Sequence, residues 1–370
     1  MGSGLRRAMS PPRNLVALHM PARGGGNGAP DWRPVEEADL VAWLRRDGAR
    51  RAGGDASQQL ERASITIVRH AAGKRLTARC RLVLVAPNGG RELLTVFAKQ
   101  YRRRDLARRL ARQLRTLRFA PGDPPVRFPK LLGLDARRGI VFMEALHGRP
   151  FAPELDGAPA RSLEPAGALM AAFHRASAAV EKRVTRADEL VRTRECADAI
   201  AQVYPDLVPA LERLQFSLAH TAWGRSGRRA LLHGSFRPNH LMVHGSELAV
   251  FDLESLRVGP PGYDLANCVA TLHYQQALGQ LSAPARRRAV RALLRGYRAH
   301  GGDESCARAL WLTAALLVQK QALKVATRAR AQASSRARTR ALVARAEQLA
   351  ARAAATPAGP GIERLERELA

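Results

Sequence analysis

The sequence predicts an α+β chain of two lobes, a small antiparallel-sheet lobe followed by a larger helical lobe. Residues Leu76 to Val85 alternate, with Leu76, Ala78, Cys80, Leu82 and Leu84 on one side and Arg79 and Arg81 on the other. That period of two is the mark of a strand with one face on a core. Leu106, Leu110, Leu114 and Leu117 form a helical stripe just downstream, and beyond residue 160 helical segments dominate. With 370 residues, the chain exceeds one compact core, and 46% hydrophobic residues are enough to fill two.

Residues 1–34 are rich in Gly, Pro and Arg and read as a disordered basic tail. A short helix over 34–46, with Leu40, Trp43 and Leu44 on one face, opens the first lobe, set at 35–146. Strands are expected at 64–70, 76–85 and 91–99, the last two joined by the turn Pro87-Asn-Gly-Gly90. A helix over 105–119 follows, then strands at 131–134 and 140–143. The second lobe, set at 147–355, holds helices at 163–180, 186–203, 207–221, 264–279, 284–300, 304–328 and 334–355. Its exception is the loop region 230–266, whose first part carries short apolar runs such as Leu241-Met-Val243 between polar stretches. Residues 356–370 are left as a tail.

Composition excludes several classes. A charged residue or Gly breaks each apolar run within about a dozen residues, too short to span a bilayer. Leu15 to Leu18 is too short for a signal-peptide core, so the cytoplasm is expected and no membrane partner. The four cysteines form no C-x-x-C pair, and they read as buried hydrophobes. The formal charge is +29, and of 61 basic residues only six are Lys. One denser face is expected over 281–352, which holds 16 Lys or Arg against three carboxylates. Yet the Arg bias runs through every segment and aromatics make up 5%. This favours solvated helix faces over a specific nucleic-acid interface.

The informative segments are His233-Gly-Ser-Phe-Arg-Pro-Asn-His240, Val250-Phe-Asp-Leu-Glu254 and Gly259-Pro-Pro-Gly-Tyr-Asp-Leu-Ala266. Together they resemble the aminoglycoside phosphotransferase and choline kinase family of protein-kinase-like fold. That family's signature is H-G-D-x-x-x-x-N, an apolar strand ending in Asp, then G-x-P-x-x-D-L-A. Val141 to Gly148 resembles its lobe hinge, and Ala171-Ala-Phe-His174 its first large-lobe helix. The resemblance implies ATP or GTP and Mg²⁺ as cofactors and a small hydroxylated molecule as phosphoryl acceptor. It implies Lys99 on the phosphates, Asp252 as metal ligand, and backbone groups of Glu144 and Leu146 on the adenine. Lys74 and Arg75, in the loop 70–75, are expected at phosphate. Asp264 either props the loop or caps a helix.

The departures fall on the chemistry. Phosphoryl transfer needs phosphates held by cations and a carboxylate to accept the hydroxyl proton. Ser235 stands at the position of that carboxylate and has no useful basicity at neutral pH. His240 stands at the position of the metal-binding Asn, with Asn239 one register early, and imidazole prefers softer metals than Mg²⁺. The helix after Lys99 should offer a Glu to orient the lysine, but between residues 100 and 120 the sole carboxylate is Asp105. Losing a general base costs about 10²–10⁴ in rate. Three functions follow: a slow phosphotransferase, a pseudokinase that binds nucleotide or scaffolds a protein partner, and an Arg-rich nucleic-acid binder. A Ser235–His233–Asp252 hydrolase triad lacks the G-x-S-x-G elbow. His233, His240 and His244 do not converge as a zinc site if His240 and His244 lie on a strand.

Overall fold

The computed structural model describes residues 59–71, 74–123, 126–151, 162–223, 229–245, 247–325, 333–357 and 361–369. The expected basic tail and the helix at 34–46 lie outside the described residues. Strands β1 (Gln59–Ala71), β2 (Arg75–Val85), β3 (Arg91–Tyr101), β4 (Leu131–Asp135) and β5 (Ile140–Glu144) form one antiparallel sheet in the order β1-β2-β3-β5-β4. The alternation read in β2 is the packing: Leu76, Ala78, Cys80, Leu82 and Leu84 are buried with Val96, Ala98, Ile140 and Phe142. The intervening residues of β3 and β5 serve the other face. Phe97, Tyr101, Val141 and Met143 join a second core with Leu110 and Leu114 of α1 (Arg104–Thr116). Lys99 lies in register with Thr77 and Val141, and the period of two puts it on the same face as Phe97.

Helix α1 stops three residues before the expected Phe119. Thr116 Oγ1 donates to the carbonyls of Arg112 (2.8 Å) and Gln113 (3.3 Å), and Leu117 turns extended. Arg118 and Ser177 then exchange backbone hydrogen bonds at 2.9 Å, and Ala179 N–H donates to Thr116 Oγ1 at 2.9 Å. This crossing also ends α2 (Glu164–Arg175) short of the expected residue 180.

The larger lobe contains α3 (Arg186–Val203), α4 (Val208–His220), α5 (Gly262–Ala277), α6 (Ala283–Ala299), α7 (Cys306–Val325) and α8 (Ala333–Ala355). Helix α7 is buried nearly all round, from Leu310 to Val318, and so it runs through the centre of the lobe. Residues 356–370 are more than a tail: α9 (Ile362–Leu369) buries Leu365 and Leu369, spaced one helical turn apart. Arg286 of α6 donates to the Leu369 carbonyl at 2.7 Å and ties this helix down. Two small sheets carry the loop region. One pairs β7 (Ala230–Leu232) with β10 (Arg257–Gly259); the other is β6 (Arg149–Pro150), β8 (Leu241–His244) and β9 (Glu247–Val250). Among the described residues, no helix is long and apolar enough to cross a membrane.

Candidate functional site

The loop between β7 and β8 is braced from below. Backbone N–H groups of His233 and Gly234 donate to the two oxygens of Asp264, at 2.7 and 2.9 Å. Asp264 is fully buried, with His174 Nε2 3.5 Å from Oδ2. The carboxylate therefore serves the loop; the cap position of α5 belongs to Pro261. Gly234 has φ +74°, and a Cβ there would sit 2.1 Å from the Ser255 carbonyl, so a side chain is excluded. His233 Nε2 lies 2.9 Å from the Phe251 carbonyl, which only accepts; the proton is therefore on Nε2. These bonds lock the loop against the segment that carries Asp252.

Asp252 has φ 64° and ψ 48°, and among the described residues it alone combines a side chain with positive φ. Such strain, about 1–2 kcal/mol, gathers at functional positions. Its Oδ1 accepts from Lys99 Nζ at 3.1 Å. Lys99 also donates to Glu254 Oε1 at 2.6 Å, and Arg75 bonds the other Glu254 oxygen. Burial pushes the Asp252 carboxyl up, but Lys99 and Arg75 outweigh it and hold the group well below the usual carboxylate range. His240 Nε2 lies 3.6 Å from Asp252 Oδ2 and accepts a hydrogen bond from Arg237 Nε at 2.8 Å. A guanidinium only donates, so His240 is neutral with its proton on Nδ1. Burial first, then Arg237 and His233, push His240 down to about 3, in agreement.

A cavity of about 480 Å³ lies between the lobes and is lined by Lys99, Glu144, Leu146, His240 and Asp252. Six of the eight residues expected at the site from sequence, Arg75 among them, thus meet around one space. Lys74 and Ser235 do not line it. Lys74 accepts through its carbonyl from Arg102 N–H at 3.0 Å, whereas the adjacent Arg75 reaches the cavity. Ser235 is half-buried in the loop beside it. At the hinge, Glu144 N–H donates to Lys130 O (2.9 Å) and Ala145 N–H to Thr95 O (3.3 Å). Leu146 N–H makes no backbone bond among the described residues. Val68, Phe97, Met143, Met242 and Phe251 supply apolar walls.

Three charged residues at the site were not singled out from sequence: Glu254, Arg237 and Arg69, the last two also lining the cavity. Glu254 had a signal in the Asp-Leu-Glu spacing after an apolar strand. Arg69 and Arg237 carried none, being two among many arginines. Asp105, the carboxylate weighed as Lys99's partner, is exposed and bonds Arg103. Among the described residues no group of three His, Cys, Asp or Glu is arranged to hold a metal, and His244 is exposed on β8. Among the described residues His233 Nδ1 has no hydrogen-bond partner, and no histidine is bonded to Ser235 to activate it.

Comparison with solved structures returns the same architecture. The chain superposes on a spectinomycin phosphotransferase solved with ADP and spectinomycin, at TM-score 0.50 and 13% identity, covering 86% of this chain and 99% of the other. A gentamicin complex of the phosphotransferase APH(2")-IIa gives TM-score 0.50 and 12% identity over 85% and 97%. A macrolide 2'-phosphotransferase from Brachybacterium faecium gives 0.47 and 19% over 82% and 98%. No curated protein matches the sequence. The profile of the phosphotransferase enzyme family, however, matches residues 81–310, more than half of the chain and the span that holds Lys99, the hinge, the loop and Asp252. The chain belongs to the phosphotransferase enzyme family.

Proposed function

We propose that the chain binds ATP or GTP in this cleft and transfers the phosphoryl group slowly to a small hydroxylated molecule in the cytoplasm. The observation that carries this reading is the convergence of Lys99, Asp252 and the hinge residues Glu144 and Leu146 on one cavity of about 480 Å³. The lobes divide at residues 146–147. Leu146 N–H and the Glu144 backbone receive the base. Lys99 and Arg75 take phosphate oxygens, and Lys74, outside the cavity lining, is left without that role. Asp252 and Glu254 hold Lys99 in place. Ser235, where a base belongs, leaves the acceptor proton to solvent, which costs about 10²–10⁴ in rate.

The fold family implies Mg²⁺, and Asp252 with His240 is the pair expected to hold it. Mg²⁺ takes oxygen ligands in near-octahedral geometry. Here Asp252 and Glu254 are engaged by Lys99 and Arg75, and His240 Nε2 by Arg237. This donor set does not fit Mg²⁺. The same two features, Ser235 and the Arg237–His240 bond, favour a second reading, a nucleotide-binding regulator of a protein partner.

Thermal unfolding of the full chain with ATP, GTP and ADP, each with and without Mg²⁺ or Mn²⁺, tests the nucleotide reading. Ligand at about 100 times its Kd adds about 2.7 kcal/mol of stability. A phosphorylated product from a panel of small alcohols separates enzyme from regulator. No shift with any nucleotide in any buffer overturns both readings.

A further inference from the structure

Four cations line the cavity, Arg69, Arg75, Lys99 and Arg237, against the carboxylates of Glu144 and Asp252. A divalent-cation site has the opposite balance, with carboxylates and neutral oxygens inside and cations outside. Arg237 decides the matter at the place where the metal belongs. Its Nε–H donates to His240 Nε2, the same nitrogen that lies 3.6 Å from Asp252 Oδ2. The edge along which His240 and Asp252 face each other is therefore already closed by a permanent positive charge. The guanidinium uses one of its five N–H groups on His240 and forms no ion pair among the described residues.

We propose that Arg237 stands in for the metal, so that the cleft binds the polyphosphate of a nucleotide without a divalent ion. Arg237, Lys99 and Arg75 supply the counter-charge. The proposal rests on the nucleotide reading above. An arginine fork suits it, since two parallel N–H donors match two phosphate oxygens. Phosphate also gives Lys99 and Arg75 oxygens to exchange for those of Asp252 and Glu254. An added Mg²⁺ would compete with these cations for the same phosphate oxygens.

The test is calorimetric titration of the full chain with ATP, in EDTA and in excess Mg²⁺, with adenosine as a phosphate-free probe. ATP should bind in EDTA as tightly as in Mg²⁺ or more tightly. Arg237→Gln should weaken ATP in EDTA by about tenfold or more, the scale of a charge-assisted pair. Arg237→Lys should fall between. Adenosine binding should change less than twofold in either variant, which shows the pocket is still folded. ATP binding that needs Mg²⁺, or that ignores Arg237→Gln, overturns the proposal and leaves the nucleotide reading standing. If neither ATP nor adenosine binds wild type in either buffer, and GTP and guanosine in their place bind no better, both fall together.

Discussion

Glu254 Oε1 lies 2.6 Å from Lys99 Nζ, so the carboxylate nearest this lysine comes from the turn after Asp252 and not from helix α1. The sheet brings the lysine to the turn, and Arg75 on the neighbouring strand grips the other Glu254 oxygen. Two strands of the small lobe are thereby pinned to the large one through one side chain.

Glu254→Gln should therefore cost stability. The Lys99 and Arg75 side chains are 15% and 19% exposed, so an amide leaves two mostly buried cations short of charge. Breaking a fully buried pair costs 3–5 kcal/mol; the residual exposure brings the expectation to about 1–2 kcal/mol. Asp105→Asn, on the exposed Arg103 pair, should stay within about 0.5 kcal/mol. Urea unfolding of the two variants measures both. Equal, small effects would show that Glu254 does not hold the lobes.

Asp264 offers a cleaner separation of roles. A helix-cap residue costs about 1 kcal/mol when replaced. Asp264 instead accepts two backbone N–H groups in a fully buried site, and each charge-assisted bond is worth about 1.5–3 kcal/mol. Asp264→Asn should destabilise by about 2–4 kcal/mol and speed amide exchange at His233 and Gly234. A loss near 1 kcal/mol with unchanged exchange at those amides would return it to a capping role.

Ser235→Asp restores a carboxylate where the family motif has its base. Transfer to an acceptor, or slow nucleotide hydrolysis where no acceptor is supplied, should rise about 10²-fold. Rapid turnover by wild type, with no gain in the variant, would mean that another group takes the proton.

Lys320 on α7 gives a pH signature. Burial, then the charge of Arg237, pushes its ammonium from the ordinary 10.5 down to about 7, although its Nζ donates to Asn267 Oδ1 at 3.3 Å. Between pH 7 and 10.5 the unfolded chain binds the proton that the folded chain has lost, so stability rises with pH across that window. Below pH 7 both states carry it and this contribution is flat. Lys320→Met should raise the unfolding free energy at pH 7, and the advantage should shrink as the pH approaches 10.5. A variant with the same pH slope as wild type would show that Lys320 stays charged.

Most of the fold was legible in the order of residues because the forces that shape strands and helices are local. Helix 186–203 and the five strands of the first lobe follow from repeats of two and of about 3.6, each set by side chains a few positions apart. The misses lie where local pattern yields to distant partners. The crossing of Arg118 with Ser177 and of Thr116 with Ala179 cut two helices short, and docking against Arg286 made a helix of an expected tail.

The sequence by itself determined the architecture, the order of the motifs, and the replacement of a basic carboxylate by Ser235. Tertiary structure alone decided that Glu254 holds Lys99 across 155 residues of chain, and that Arg237 rather than open space faces His240. The reason is physical. An ion pair forms between whichever charges the packed elements bring within a few ångströms, and in a chain with 61 basic residues composition does not choose among them. The geometry of two small sheets and one strained turn does.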